Sequence, residues 1–174
     1  MPKPPQFIRS GRKYRPEEIV PRIRSKSGYN HSARREMLDG DPVNFRSSRL
    51  ATFKHSLRCA CCGLRGSFFV KEKHRLTKDL YLLPFHLNLY AIDQNGYEVL
   101  MTSDHIIPRS KAPPNLHNNR QTMCVRCNHA KGSRKISIAT LRKEMFSHIP
   151  LLRNEDVVEI REEASDAHGL GFGP

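Results

Sequence analysis

The sequence has no tryptophan, and aromatic residues make up only 7% of its 174 positions. Hydrophobic residues reach 37%, so a core filling the whole chain is not expected, and part of the chain is expected to lie extended over a partner. No apolar run approaches the roughly 18 residues that a membrane span needs. The opening Met1-Pro2-Lys3-Pro4-Pro5 is followed by no apolar stretch, so a secretory leader is not expected. Negative charge is scarce, with 17 Asp and Glu against 30 Lys and Arg and a net charge of +13. Together these shortages argue against a transporter, an integral membrane protein and a secreted disulfide scaffold.

The positive charge is uneven. Residues 1–58 hold 14 Lys and Arg against 5 Asp and Glu, residues 59–132 hold 10 against 5, and residues 133–174 hold 6 against 7. A basic N-terminal stretch before a mildly basic middle points to a polyanion partner, because Lys and Arg displace the counterions condensed on phosphates. Arg12, Lys13 and Arg15 are the candidate backbone contacts in that stretch, with duplex DNA as the expected partner.

The cysteines are Cys59, Cys61, Cys62, Cys124 and Cys127. Their odd number and clustering speak against a disulfide framework. Cys59-x-x-Cys62 and Cys124-x-x-Cys127 are two pairs at the spacing that lets two thiolates converge on one tetrahedral ion, which suggests a structural Zn²⁺ site. Cys61 is the spare thiol, read as a small buried or half-exposed side chain.

Pro2, Pro4, Pro5, Pro16 and Pro21 break residues 1–46, which read as a basic, largely irregular arm with one short helix over residues 32–38, stopped near Gly40 and Pro42. Ser48 reads as the N-cap of a helix carrying Leu50 and Phe53 toward Cys59. Residues 67–70 form a short strand candidate. Alternating runs at 86–92 and 97–102, separated by Asp93 to Gly96, predict a β-hairpin, and a return strand is expected at 121–124. A helix opens near Cys127. Ile138, Leu141, Met145 and Ile149 form a core-facing stripe between Ser137 and Pro150. A weaker helix is expected over 155–164, and a disordered tail over 169–174. The resulting division is an arm at 1–46, a zinc-bearing domain at 47–135, a helical segment at 136–168 and the tail.

The stretch that carries chemistry runs from Asp104-His105-Ile106-Ile107-Pro108 to Asn119 and on to Cys124-Val125-Arg126-Cys127-Asn128-His129-Ala130-Lys131. A carboxylate and an imidazole sit side by side at a strand end. An amide and a lysine follow one helical turn apart, directly after a zinc-type cysteine pair. Phosphodiester hydrolysis asks for a base to activate water, a hard cation, and positive charge on the phosphate. His105 has a suitable pKa range for the base. Asp104 and Asn128 offer oxygen ligands that suit Mg²⁺ or Mn²⁺. Lys131 shares the helix face of Asn128 and is a candidate phosphate contact or a solvated lysine. Adjacent strand residues point to opposite faces, so Asp104 and His105 can flank one phosphate only where the strand ends. His129 is the alternative to Asn128 as ligand, and Asn128 also suits a helix N-cap.

At these residues the chain resembles the HNH endonuclease family, of the type with a C-x-x-C pair on each side of the motif. Asp104, His105, Ile106 and Pro108 match its first element, Asn119 has the central position five residues before Cys124, and Asn128 and Lys131 match the last. The resemblance spans about residues 57–132. The loop after His105 departs from it, with Lys111-Ala112-Pro113-Pro114 where family members often carry Gly-Gly. The resemblance implies an α+β fold with a small ββα-metal core, structural zinc, an extra β-hairpin and flanking helices. It implies that His105 activates water, that Asp104 and Asn128 hold one divalent cation, that Asn119 braces the loop and orients His105, and that Cys59, Cys62, Cys124 and Cys127 bind zinc. It suggests a cytoplasmic DNA hydrolase of a bacterial or phage-infected cell. The competing reading is a zinc-stabilised nucleic-acid-binding module without catalysis.

Overall fold

The computed structural model describes residues 7–24, 35–74, 85–113, 116 and 118–147. Strands β1 (Phe7–Tyr14), β4 (Gly66–His74), β5 (His86–Ile92), β6 (Glu98–His105) and β7 (Arg120–Cys124) form one antiparallel sheet in the order β1-β4-β5-β6-β7. Helix α1 (Pro16–Ile19), the small hairpin β2 (Glu36–Leu38) and β3 (Asp41–Val43), and helix α2 (Ser48–His55) lie in the chain between β1 and β4. Helix α3 (Val125–Lys131) follows β7 directly, and α4 (Ile138–Phe146) comes after it. The α+β class and the unit of two strands and a helix, β6-β7-α3, are present.

The alternation of the strands sorts the sheet into two faces. Phe69, Leu89, Ala91, Val99 and Met101 bury one face against Tyr14, Ile19, Leu50 and Phe53, and this is the main core. On the other face Phe68, Val70 and Tyr90 make a second, smaller cluster with Leu100, in which the Phe68 and Tyr90 rings stack at 5.8 Å. Cations close this patch. The Arg9 guanidinium lies 4.5 Å above the Tyr90 ring and the Lys13 ammonium 4.3 Å above Phe68. Beside them the buried Glu72 carboxylate accepts from Asn88, from the Tyr90 hydroxyl and from Arg9 Nε.

Several sequence expectations need correction. The described part of the N-terminal stretch is not irregular: β1 pairs with β4 along Phe7–Ser10 and again at Tyr14, with a bulge between them at Gly11 (φ 73°). Few aliphatic residues mark β1, because cations over aromatic rings do the covering on one face. Arg12 and Lys13 are consequently tied into the fold, Arg12 to Glu18 and Asp39, Lys13 to Glu98. The described end of the expected helix at 32–38 is strand instead. Asp39 (φ 46°) and Gly40 (φ 80°) both take the left-handed conformation of a tight two-residue turn, which the Asp-Gly pair favours. The N-cap of α2 is Ser47, whose Oγ accepts from Leu50 N at 3.2 Å, one residue before the expected position.

The predicted hairpin is β5 and β6, closed by a turn in which the Asp93 carboxylate accepts from Asn95 N and Tyr97 N. It forms the middle of the sheet, and its second strand carries Asp104 and His105 at its end. Ser137 caps α4 and Leu141 is fully buried. Ile149, Pro150, the helix expected at 155–164 and the tail at 169–174 lie outside the described residues.

Tyr14 tests the place of β1 in the core. Its ring is 0% exposed and its hydroxyl donates to Asp39 at 2.9 Å. Tyr14→Ala is expected to cost about 3 kcal/mol of stability in a denaturant titration, the usual scale for losing a buried aromatic. A cost near zero would mean that β1 does not belong to the folded core.

Candidate functional site

The cysteines build the site's frame. Cys59 N donates to Leu64 O and Gly63 N to Cys59 O, both at 2.9 Å, so residues 59–64 turn back tightly on themselves. Ala60 N donates to Thr122 O at 2.8 Å, which fastens this turn to β7. From α4, Arg142 Nε donates to Cys61 O at 2.7 Å. Cys124 ends β7 and caps α3, its Sγ accepting from Cys127 N at 3.5 Å. The sulfurs of Cys59, Cys62, Cys124 and Cys127 all lie within 4.8 Å of one another, and Cys62 and Cys124 are 3.8 Å apart. Four sulfurs about 2.3 Å from a central zinc ion stand about 3.8 Å from each other, so the spacing fits. The proton chemistry fits as well. Hydrogen bonds from Cys124, Cys127 and Cys62 pull the Cys59 thiol far down, whereas hydrogen bonds to Cys124, Cys59 and Cys62 push Cys127 far up. A divalent ion at their centre would stabilise all four as thiolates. Cys61 stands apart, 0% exposed in the core with its sulfur 3.9 Å from Met145 Sδ.

The frame positions β7 and α3 against the end of β6. Asp104 pairs with Gln121 and His105 with Arg120 in the β6–β7 ladder. Thr102 and Asp104 leave the sheet on the side that α3 covers. From α3, Asn128 Nδ2 donates to Thr102 Oγ1 at 3.0 Å, which leaves the amide oxygen Oδ1 as its acceptor end. One turn on, Lys131 is 1% exposed, and its ammonium lies 3.0 Å from Asp104 Oδ2 and donates to His105 O at 2.7 Å. Gln121 Nε2 also donates to Asp104 at 3.0 Å. Asp104 is 8% exposed, so this carboxylate is buried, fully neutralised and held from two sides. Lys131, expected at a phosphate or in solvent, is thus an interior group of the site. His129 is exposed on α3, while Asn128 is half-buried beside Thr102.

His105 is the last residue of β6 and is half-buried. Burial holds its imidazole below the ordinary range, helped by the charges of Arg120, Arg109 and Lys131 and opposed by Asp104. The neutral ring that results has a free lone pair at pH 7. Directly after it, Asn119 grips the Ile107 backbone on both sides: Ile107 N donates to Asn119 Oδ1 and Asn119 Nδ2 donates to Ile107 O, each at 2.8 Å. Ile106 N donates to Asn119 O at 3.3 Å. The turn that ends β6 is therefore fixed by one amide side chain, and His105 leaves the strand from a rigid stem.

The structure thus joins Asp104, Asn128 and Lys131 on the α3 side of β6, sets His105 and the Asn119 clamp at the adjoining strand end, and ties Arg12 and Lys13 into ion pairs with Glu18, Asp39 and Glu98. Arg15 is exposed just before α1. Sequence reasoning missed Arg120 and Arg109 as the basic neighbours of His105. The strand pairing that sets Arg120 opposite His105 was the only available signal, and it depends on register.

Residues 92–134 match the family model described as HNH endonuclease. That segment contains Asp104, His105, Asn119, the second cysteine pair, Asn128 and Lys131. No curated protein and no solved structure matches the chain. The family match indicates a nuclease or nucleic-acid-binding function, and among the described residues no helix is long and apolar enough to cross a membrane.

The geometry yields two expectations. Cys124→Ser is expected to lower metal content by mass spectrometry and the thermal midpoint together, whereas Cys61→Ala keeps one zinc per chain; zinc lost from Cys61→Ala alone would point to a different ligand set. Lys131→Met strands the buried Asp104 charge and is expected to cost about 3 kcal/mol. A Lys131→Met variant as stable as wild type in a denaturant titration would contradict this.

Proposed function

With this match as premise, we propose that the chain is a metal-dependent endonuclease hydrolysing phosphodiester bonds of duplex DNA. The observation that carries the reading is the grouping at the end of β6 of the His105 imidazole, the buried Asp104 carboxylate, the Asn128 amide held on Thr102 and the Asn119 side chain that clamps the adjoining turn. His105 takes the proton from the attacking water. Asn119 keeps the imidazole in place by holding the Ile107 peptide, and does not itself meet the substrate. Asp104 and Asn128 supply the hard oxygen donors for one Mg²⁺ or Mn²⁺. When bound, that ion supplies Lewis-acid stabilisation of the charge that develops on the phosphate oxygens. Lys131, 3.0 Å from Asp104 Oδ2, keeps the carboxylate aimed. The zinc at the four cysteines is structural.

The nuclease domain is taken as residues 47–135, with β1 to β3 contributing to its sheet and core, and a cytoplasmic setting accompanies the reading. A second reading, a nucleic-acid-binding module without catalysis, draws support from the Asp104–Lys131 ion pair, since a carboxylate already neutralised has less need of a cation.

Incubation with supercoiled plasmid, with and without Mg²⁺ or Mn²⁺, separates the two. The nuclease reading expects nicked or linear product only with the ion. His105→Ala stays folded, keeps its zinc and binds DNA nearly as before, but cuts about 10²–10⁴-fold more slowly, the usual worth of a general base. Asp104→Ala and Asn128→Ala shift the metal requirement to higher concentrations. Wild-type protein that binds DNA and never cuts it with any divalent ion establishes the binding module instead.

A further inference from the structure

Arg120 stands opposite the proposed base and has no part in the reading so far. It pairs with His105 in the β6–β7 register, so both side chains leave the same face at the end of the ladder. It is exposed. Arg9, Arg12, Arg126 and Arg134 each hold a carboxylate, whereas the contact of Arg120 is uncharged: its NH1 donates to Ser103 Oγ at 3.2 Å.

That contact belongs to a directed chain. The Thr52 hydroxyl donates to Ser48 O at 3.0 Å, within α2. A hydroxyl has one hydrogen, so the 2.8 Å contact between Thr52 and Ser103 runs from the Ser103 hydroxyl to Thr52 Oγ1. Ser103 is then left with lone pairs alone toward Arg120. Helix α2 therefore orients the guanidinium through Ser103 and leaves its charge unneutralised. Holding a long side chain in one rotamer costs entropy, and no charge pairing within the described residues offsets it. A ligand that brings its own negative charge does.

We propose that Arg120 grips the non-bridging oxygens of the nucleic-acid phosphate presented to His105, with Ser103 as its positioning residue. The planar fork of a guanidinium matches two oxygens of one phosphate, and it keeps its charge at any pH the protein meets. This rests on the nuclease reading for the identity of the reacting phosphate, though the phosphate contact itself does not depend on catalysis.

The test uses the full zinc-loaded chain and a short DNA duplex, comparing wild type with Arg120→Ala, Arg120→Lys and Ser103→Ala. Binding is measured across a salt series without added divalent ion, and cleavage as a single turnover in Mg²⁺. Arg120→Ala is expected to flatten the log–log salt slope by about 0.9, one phosphate contact on duplex DNA, and to slow cleavage about 10²-fold, the scale of one lost charge-stabilising donor. Arg120→Lys restores the slope and not the rate, since the charge returns without the fork. Ser103→Ala loses rate in the same direction, by less. Wild-type slope and rate in Arg120→Ala overturn the proposal, and a flattened slope with a wild-type rate overturns the assignment to the reacting phosphate. If wild type does not cut at all, the nuclease reading has failed and the slope alone decides: flattened, the phosphate contact stands; unchanged, it falls. Should Arg120→Ala lose zinc or melt early, Arg120→Gln, which keeps a donor for Ser103, is read by the same two measurements.

Discussion

Convergence of four cysteine sulfurs is the constraint on which the rest of the site depends. They come from two turns that are far apart in sequence, and their clustering fixes three things together: the loop after α2, the end of β7 and the first turn of α3. Because Cys124 caps α3 and Cys127 lies in its first turn, the helix's rotation about its own axis is set at its N-terminus. One residue of slip would turn Asn128 and Lys131 by about 100°, away from Thr102 and Asp104. A metal at this point would therefore do more than add folding energy; it would set which helix face meets β6.

The second constraint is electrostatic and lies one layer further in. Lys131 and Asp104 are both buried, and either alone would be expensive. Together they neutralise one another, and Lys131 spends a second bond on the carbonyl of His105. Lys131 thus ties the helix to the strand end at Asp104 and at the backbone of His105. Asn119 completes the arrangement from the other side of the turn. His105 is then held by its backbone alone, with its ring left half-exposed for a substrate.

Much of this was legible in the sequence, and what was not has physical reasons. The cysteine spacing is a local pattern, and the structure clusters the four sulfurs as that spacing implies; the Asn119 clamp follows what the family resemblance implied. The alternating runs around Asn95-Gly96 gave the central hairpin. By contrast β1 has hardly any aliphatic signal, because Arg9 and Lys13 cover aromatic rings on β4 and β5 and find their acids on β4 and β6. The Asp39-Gly40 turn was missed because the flanking strands have only three residues each. The burial of Lys131 and the place of Arg120 depend on tertiary pairing and strand register, which neither composition nor spacing records.

The proposed catalysis requires that Asp104 and Asn128 hold a divalent cation beside His105 even though Lys131 already neutralises Asp104. Anomalous diffraction from a crystal soaked in Mn²⁺ tests this most directly. The expected result is a manganese peak bound to an Asp104 carboxylate oxygen and the Asn128 amide oxygen, with the Lys131 ammonium displaced or sharing the carboxylate. Manganese found only elsewhere, with the Asp104–Lys131 pair intact at a concentration that saturates any activity, would contradict it.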